Sequence, residues 1–132
     1  MEKKVVVHMK DGMIHKGVTH DFDPDGQAFH MLPGEGGGVP VKVDVDEMKA
    51  LFYVKDYMGN RDFVARSEFD EAQRSARRAV VVFNDAEEIW GLLGEEHSDE
   101  GLGFLFYPSD KNDNNIRIFV IRSAIKELRL VQ

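Results

Sequence analysis

A polar stretch near the C-terminus, Asn114-Asn115-Ile116-Arg117, contains residue types that could bind an anion. Asparagine donates amide hydrogens, and a guanidinium can form two parallel hydrogen bonds to one carboxylate or phosphate. Asn114, Asn115 and Arg117 are therefore the candidate ligand-binding residues. The alternative is structural, because asparagine at a hairpin tip often hydrogen-bonds the backbone of its own turn.

A second candidate site combines arginines with a polar turn. The segment Arg74-Ser75-Ala76-Arg77-Arg78 precedes one β-branched run, and Glu96-His97-Ser98-Asp99-Glu100-Gly101 follows the next strand. Guanidinium groups pair with phosphate and stack on bases, so these segments could bind a nucleotide. The residues of this alternative nucleotide-binding set are Arg74, Arg78, Ser98 and Gly101. The competing interpretation is a solvated linker helix.

Two further segments partly match known ion-binding and phosphate-binding loops. Asp21-Phe22-Asp23-Pro24-Asp25-Gly26 copies the first six positions of a calcium loop, but the twelfth position is Leu32 instead of a bidentate glutamate. An acidic hairpin turn is the better interpretation. Gly34-Glu35-Gly36-Gly37-Gly38 is not followed by the lysine and hydroxyl residue of a phosphate loop, so we predict a hairpin loop there.

Metal binding and catalysis lack the residues that would support them. The histidines are His8, His15, His20, His30 and His97. Four of them lie in the predicted strands of one half, where the counterparts of His8 and His15 in the other half are apolar, which favours barrel positions over a zinc site. The chain has no cysteine, and no serine, histidine and acid are spaced as a nucleophilic triad. We predict no metal, no cofactor and no enzymatic activity.

The elements that would position these residues occur twice in the chain. Residues 5–17 contain a β-branched run followed by Asp11-Gly12 and Gly17, and residues 79–91 contain a similar run with Asp85 and Gly91 at the same spacing. Two later pairs of segments match in the same order: 29–33 with 104–108, and 48–54 with 125–131. An internal duplication is therefore predicted.

Each copy is expected to form about five short strands, at a spacing typical of small barrels and sandwiches. In the first copy the predicted strands are 4–9, 13–22, 27–33, 39–45 and 48–54. The domain prediction is a first β-barrel repeat at 1–56, a linker at 57–78 with a short helix near 68–78, and a second repeat at 79–132. We expect the two copies to form equivalent curled sheets related by approximate symmetry, which share an interface and unfold as a unit because each copy alone is very small.

The bulk composition limits the classes of function. The chain has 132 residues, of which 42% are hydrophobic and 31% charged, as in globular proteins. The formal net charge of −7 would repel phosphates and disfavours general nucleic-acid binding. The first apolar run is too short for a signal peptide or a membrane span, and the absence of cysteine fits a reducing compartment. A cytoplasmic protein with no membrane association is expected.

Two resemblances refine the predicted fold. The stretch from Val5 to Leu32, with Asp11-Gly12 and Gly17, resembles the first motif of Sm-like proteins, which are bent, five-stranded SH3-like barrels. The whole chain also resembles an uncharacterised bacterial family of tandem domains, in segments such as Leu51-Phe52-Tyr53-Val54 and Arg117-Ile118-Phe119-Val120, although Ala86 stands where a glycine is expected. The resemblances imply an all-β bacterial protein made by tandem duplication of a small five-stranded SH3-like or Sm-like barrel. The residues with which Sm proteins bind RNA are not present.

A third resemblance concerns the arginine-rich segment. Arg74 to Arg78, with the turn from Glu96 to Gly101, resembles a degenerate PilZ domain, which would make the chain a receptor for cyclic di-GMP. The leading prediction is instead a non-enzymatic binding or regulatory module with a protein or small-molecule partner. An exposed edge strand of such a barrel would also offer a route to a homodimer.

Overall fold

The computed structural model describes residues 3–34, 38–57, 69, 77–94, 100–110 and 113–131. These residues form ten β-strands and two single-turn 3₁₀ helices, and no α-helix occurs among them. The all-β prediction is confirmed. The strands are β1 (Lys3–Met9), β2 (Ile14–Thr19), β3 (Ala28–Pro33), β4 (Val41–Asp44), β5 (Met48–Val54), β6 (Arg78–Phe83), β7 (Glu88–Leu93), β8 (Gly103–Pro108), β9 (Asn115–Ile121) and β10 (Ile125–Leu130). The 3₁₀ helices are Val45–Glu47 and Arg122–Ala124.

All ten strands belong to one antiparallel sheet with the order β10–β6–β7–β8–β9–β5–β1–β2–β3–β4. The first half, β1 to β5, and the second half, β6 to β10, have the same internal order, with the last strand beside the first. The halves join through β5 and β9. The prediction of two separate sheets is therefore wrong: the sheet continues through both halves, and in the described residues its hydrogen bonds close neither half into a barrel.

The two strands at this junction are buried on both faces. In β5 the consecutive residues Ala50, Leu51 and Phe52 are buried, and in β9 every residue from Ile118 to Ile121 is buried. Successive strand residues point to opposite faces of the sheet, so each strand packs on both sides. A strand that is apolar on both faces is stable only when both faces are covered. Burial on both faces agrees with the position of the two strands in the middle of the sheet, where each also has a hydrogen-bonded neighbour on either side.

One hydrophobic core spans both halves. Phe22 shows the connection, because its ring centroid lies 5.0 Å from that of Phe29 in the first half and 5.2 Å from that of Phe119 in the second. Both contacts are edge-to-face, the arrangement that aromatic pairs prefer. The first half therefore packs part of its core against β9.

The first hairpin turn of each half has the same geometry. The Oδ1 atoms of Asp11 and Asp85 accept the amide hydrogen of the residue two positions later, at 2.9 and 3.0 Å respectively. The next residue has a positive φ in both turns, 93° at Gly12 and 77° at Ala86. Among the described residues Ala86 is the only non-glycine residue with a positive φ, which is a strained conformation for an L side chain. The second half keeps the turn without the glycine.

A glycine also occupies the same position in each half, where the second strand of the half pairs with the third. Gly17 of β2 pairs with Pro33 of β3, and Gly91 of β7 pairs with Pro108 of β8. A Cβ atom on either glycine would overlap a carbonyl oxygen of the facing strand. The strands can approach this closely only because neither position has a side chain.

Three predicted elements have different bounds in the structure. The strand predicted at 39–45 is only Val41–Asp44, because Val45 begins a 3₁₀ helix. The strand predicted at 13–22 ends at Thr19, because the carboxylate of Asp21 accepts the amide hydrogen of His30 at 2.9 Å and turns the chain. The helix predicted at 68–78 lies mostly outside the described residues, but Arg78 already belongs to β6, so the prediction is wrong at that position. Within the described ranges, no helix has the length and apolar character needed to cross a membrane.

Candidate functional site

The side chain of the predicted hairpin-tip residue Asn114 forms hydrogen bonds to the backbone of Asp56. Its Nδ2 donates to the carbonyl oxygen of Asp56 at 2.8 Å, and its Oδ1 accepts the Asp56 amide hydrogen at 3.2 Å. The Asn114 carbonyl also accepts from the amide of Lys55 at 3.0 Å. Asn114 therefore links the segment after β5 to the start of β9. Its side-chain amide has a structural role, which matches the alternative interpretation of the hairpin tip.

The other two predicted residues, Asn115 and Arg117, have different surroundings, and only Asn115 lines a groove. Asn115 donates its backbone N–H to Asp113 Oδ1 at 2.9 Å, and its side chain contributes to a groove described below. The guanidinium carbon of Arg117 lies 4.3 Å from the ring centroid of Tyr53, its cross-strand partner, and Arg117 is not among the groove residues. Burial raises the pKa of the Tyr53 hydroxyl above its ordinary value, and the nearby guanidinium opposes that shift.

A groove of about 320 Å³ lies where the two halves meet, and we call it the junction groove. Its lining residues are Val6, His8, Ile14, Lys16, Phe52, Val54 and Tyr57 from the first half and the following segment, and Glu87, Asn114 and Asn115 from the second half. Lys16, Val6 and Phe52 line it together because they are in register across β2, β1 and β5. The volume is at the lower end of the range for small-molecule sites.

The floor of the junction groove is apolar and its middle contains an imidazole. Val6, Phe52 and Val54 are buried, whereas Ile14 on the wall is 52% exposed. The ring of His8 lies edge-on to Phe52, with centroids 4.8 Å apart. Burial, assisted by the charge of Lys49, lowers the pKa of His8, so the imidazole is neutral at pH 7. Within the described residues its ring nitrogens have no hydrogen-bond partner.

The two ends of the junction groove carry opposite charges. At one end Lys16 Nζ donates to the Tyr57 carbonyl oxygen at 3.1 Å, and Lys4 Nζ lies 5.6 Å from the Tyr57 ring centroid. The Tyr57 hydroxyl is itself occupied, since it donates to the Gly34 carbonyl at 2.7 Å. In the part of the chain that the structure describes, Lys16 has no carboxylate partner.

The acidic end is neutralised by a lysine. Glu87 forms an ion pair with Lys49, which also binds Asp85 Oδ2 at 2.7 Å. The Lys49 side chain is only 12% exposed, and its Nζ lies 4.6 Å from the ring centroid of Phe83. Burial alone would lower the pKa of Lys49, but the hydrogen bonds and charges of the two acids outweigh it and raise the pKa. Lys49 therefore stays charged and offsets the charge of Glu87.

The equivalent face of the second half is covered. Trp90 occupies the position of Lys16 in the duplicated pattern, and its ring centroid lies 5.3 Å from that of Phe69. The guanidinium carbon of Arg78, the counterpart of Lys4, lies 5.6 Å from the same Phe69 ring. Val80, beneath these rings, is 1% exposed. Two aromatic rings thus cover this face, whereas the described residues leave a groove on the equivalent face of the first half.

The alternative nucleotide-binding set is only partly described. Arg74 and Ser98 lie outside the described residues. Arg78 is the first residue of β6, where its side chain contacts Phe69, and Gly101 adopts a φ of 92° before β8. The structure therefore neither assembles nor separates the four residues, and the nucleotide site stays a prediction.

The acidic segment at residues 21–26 forms its own turn. Both carboxylate oxygens of Asp21 contact His30, which lowers the pKa of Asp21, the backbone N–H of His30 being the larger cause and its ring the next. Asp23 Oδ1 accepts the amide hydrogen of Asp25 at 2.9 Å. These contacts match the predicted acidic hairpin turn. Across the described ranges, no three or more His, Cys, Asp or Glu residues are grouped to hold a metal ion.

Two predictions fall on residues that are not described. His97 lies outside the described residues, as do residues 35–37 of the glycine-rich loop. The flanking residues Gly34 and Gly38 have φ values of 62° and 87°, which glycine adopts without strain. The N–H of Gly34 donates to the Lys16 carbonyl at 3.2 Å, so this end of the loop is attached to β2.

Comparison with known proteins identifies the family but assigns no activity. A profile described as "Family of unknown function (DUF6982)" matches residues 1–132. The chain belongs to this family. Searches of curated proteins and of solved structures found no match. For this DUF6982 member the junction groove is therefore the feature from which a function can be inferred.

Sequence reasoning missed most of the junction groove. Asn114 and Asn115 are both candidates that line the groove, but Lys16 and Phe52 come from strands that are distant in sequence and become neighbours only through sheet pairing. One signal was present: β5 is apolar at consecutive positions, which is typical of a strand that is covered on both faces.

Proposed function

We propose that this chain is a non-enzymatic binding module that holds a small molecule in the junction groove. The observation that supports the proposal most strongly is a concave site lined from both halves, in which an apolar floor of Val6, Phe52 and Val54 adjoins charged and polar side chains. Small-molecule sites combine apolar surface with polar groups that converge on the ligand, and this groove is more polar than most of them. Binding there would also contact both halves at once, so the same site could regulate how they pack.

The chemistry of the lining residues supports binding over catalysis. Among the described lining residues, only Tyr57 has a hydroxyl group, and this hydroxyl already donates to a backbone carbonyl. The imidazole of His8 has no carboxylate hydrogen-bonded to it in the described part of the chain. A general base that activates a nucleophile needs both partners within hydrogen-bond reach. The groove offers neither pair.

The test is an NMR titration of the ¹⁵N-labelled protein with 2-naphthalenemethanol, a neutral aromatic probe. We expect chemical-shift changes concentrated in the amides of β1, β2 and β5. Lys16→Trp should abolish them, because an indole at this position would fill the groove as Trp90 fills the equivalent face. Lys42→Trp is the matched control, since Lys42 is an exposed lysine on β4, away from the groove.

Shift changes that persist unchanged in Lys16→Trp, or that map to strands away from the groove, would reject the proposal. Circular dichroism of both variants checks that the all-β fold is retained. Because Lys16 and Lys42 are both exposed, neither substitution removes a buried side chain.

A second candidate function is a receptor for cyclic di-GMP. It rests on the arginine-rich segment, of which the structure describes Arg77 and Arg78; the Nε of Arg78, like that of Arg122, is buried and has no hydrogen-bond partner in the described part of the chain. Calorimetric titration should give heat with the wild type and with Arg129→Ala, an exposed control, but not with Arg78→Ala. The absence of heat from the wild type at saturating nucleotide would reject this function.

For the fold, we propose that each half derives from a small five-stranded SH3-like or Sm-like barrel by tandem duplication. The identical strand order of the halves and their matching first turns support this origin. The 3₁₀ helices Val45–Glu47 and Arg122–Ala124 support it as well, since each stands directly before the last strand of its half. A bacterial, cytoplasmic setting belongs to the same proposal.

A further inference from the structure

The two halves place an aromatic ring against a cation at equivalent positions. Lys4 lies over Tyr57 in the first half, and Arg78 lies over Phe69 in the second. Both rings come from the segment that follows β5. In the second half a further ring, Trp90, packs beside Phe69. The second half therefore places two aromatic rings on this face, whereas the described residues of the first half place one, Tyr57, beside the floor that contains Phe52.

The missing ring leaves room on an apolar floor. Lys16 stands where Trp90 stands in the second half, and its Nζ donates to the Tyr57 carbonyl oxygen. Val6 and Phe52, which are neighbours across β1 and β5, line the bottom of the groove, although each is largely buried by its surroundings. A flat ring placed there would make the contacts that an indole makes in the second half.

The charges beside this space favour an anion. Two ammonium groups, those of Lys4 and Lys16, stand at the Tyr57 end of the groove. The carboxylate at the other end, Glu87, is already paired with Lys49. A ligand carboxylate at the Tyr57 end would therefore gain a cation without facing an unpaired acid.

We propose that the ligand of the junction groove is a flat aromatic monoanion, with its ring on Val6 and Phe52 and its anionic group on Lys16. This inference rests on the proposed function and specifies its ligand class. The neutral imidazole of His8 lies against Phe52 in the groove. It can donate or accept one hydrogen bond with a polar substituent of the ligand's ring. A ligand of this class would take the place that Trp90 occupies in the second half.

The test compares 2-naphthoate with 2-naphthalenemethanol, which has the same ring system without the charge. Dissociation constants come from the same amide shifts in β1, β2 and β5. We expect 2-naphthoate to bind about fivefold more tightly, as for one partly exposed ion pair. Lys16→Met should remove that preference, whereas Lys42→Met should preserve it. Lys16→Gln provides a second variant that retains a polar side chain.

Each result decides a different proposal. If the alcohol binds in the groove as tightly as 2-naphthoate, the binding function stands and the anion preference is overturned. If the preference survives in both Lys16→Met and Lys16→Gln, the assignment of Lys16 is overturned. If neither probe shifts the groove amides, both the ligand class and the binding function are rejected.

Discussion

The last strands of the two halves, β5 and β10, occupy the same place in the duplicated pattern but have different surroundings. β5 pairs with β1 and β9, whereas β10 pairs only with β6 and forms an edge of the sheet. Ala50 and Phe52 of β5 correspond to Glu127 and Arg129 of β10. The apolar pair is buried at the junction, and the charged pair forms an exposed ion contact of 3.2 Å.

The partner strands β9 and β4 differ in the same way. Phe119 and Ile121 of β9 are buried, and their counterparts in β4 are the exposed residues Lys42 and Asp44. Charged side chains on an edge strand oppose pairing with another chain. A homodimer through either edge would bury these charges, so the two edges give no support to the predicted homodimer.

This comparison shows that equivalent strands of a duplicated fold can be internal strands in one half and edge strands in the other. The two cases differ in whether the side chains on the faces of the strand are apolar or charged. Apolar residues on both faces suit β5 and β9 to the covered middle of the sheet, and exposed charged residues suit β4 and β10 to its edges. The following predictions test this account.

The largest expected effect comes from truncating a junction side chain. Phe119→Ala should lower the free energy of unfolding by about 3–5 kcal/mol, because it leaves a cavity in the core where Phe119 contacts Phe22. Lys42→Ala, at the equivalent position of β4, should change it by less than about 0.5 kcal/mol. Urea denaturation measures both. Similar losses from the two variants would contradict the assigned difference between junction and edge.

Substitution of the two equivalent glycines, Gly17 and Gly91, should lower the stability of the fold by similar amounts. Gly17→Ala and Gly91→Ala each place a Cβ atom against a carbonyl oxygen of the facing strand. We expect each substitution to destabilise the fold by about 1–3 kcal/mol through overpacking. Thermal unfolding of the two variants gives the comparison, and a large cost at only one glycine would show that the halves are not equivalent there.

The first turns of the halves should respond in opposite directions. Ala86→Gly should stabilise the fold by about 0.5–1 kcal/mol, because relief of the positive-φ strain exceeds the added chain entropy of glycine. Gly12→Ala should destabilise it by a similar amount, because it introduces the same strain in the first half. Chemical denaturation at pH 7 is sensitive enough. Stabilisation by Gly12→Ala would mean that the turn relaxes away from positive φ.

A smaller effect is expected from pH at the Lys49 cluster. The hydrogen bond from Lys49, followed by that from the Glu87 amide, lowers the pKa of Asp85 below its unfolded value. This contribution is therefore fully present above the ordinary aspartate pKa of about 3.9 and is lost as the pH falls through the lower folded value. Because Asp85 is largely exposed, we expect less than about 1 kcal/mol.

The measurement for this cluster is the stability difference between wild type and Lys49→Met at pH 7 and at pH 3. The difference should shrink at pH 3 as Asp85 becomes protonated. Lys42→Met is the control. In the wild type, Lys42 Nζ lies 3.9 Å from Asp44 Oδ1 on the exposed edge strand, so this variant should show a much smaller change in the stability difference. A difference that grows on acidification would have the wrong sign for this account.

The sequence predicts the local elements well because they depend on neighbouring residues. Asp11-Gly12 with Gly17, and Asp85 with Gly91, mark equivalent hairpins, and five strands in each half follow from the turn residues between them. The pairing of β5 with β9 could not be predicted from turn signals, since residues 55–114 separate the two strands. Strand periodicity shows which faces are apolar but not which strand covers them.

The candidate site shows the same limit. The polar residues of the hairpin tip were found by type, yet the structure uses the Asn114 amide to hold the backbone of Asp56. Lys16 carried no signal in sequence until its counterpart Trp90 was seen against Phe69. The difference between an open and a filled face becomes visible only when the two halves are compared in three dimensions.

The most direct test of the central claim is the measurement of intermolecular NOEs from the ring protons of bound 2-naphthoate. The account predicts NOEs to the methyl groups of Val6 and Val54 on the floor of the junction groove. NOEs to the exposed methyl groups of Val39 or Leu130 instead, with none to Val6 or Val54, would contradict it.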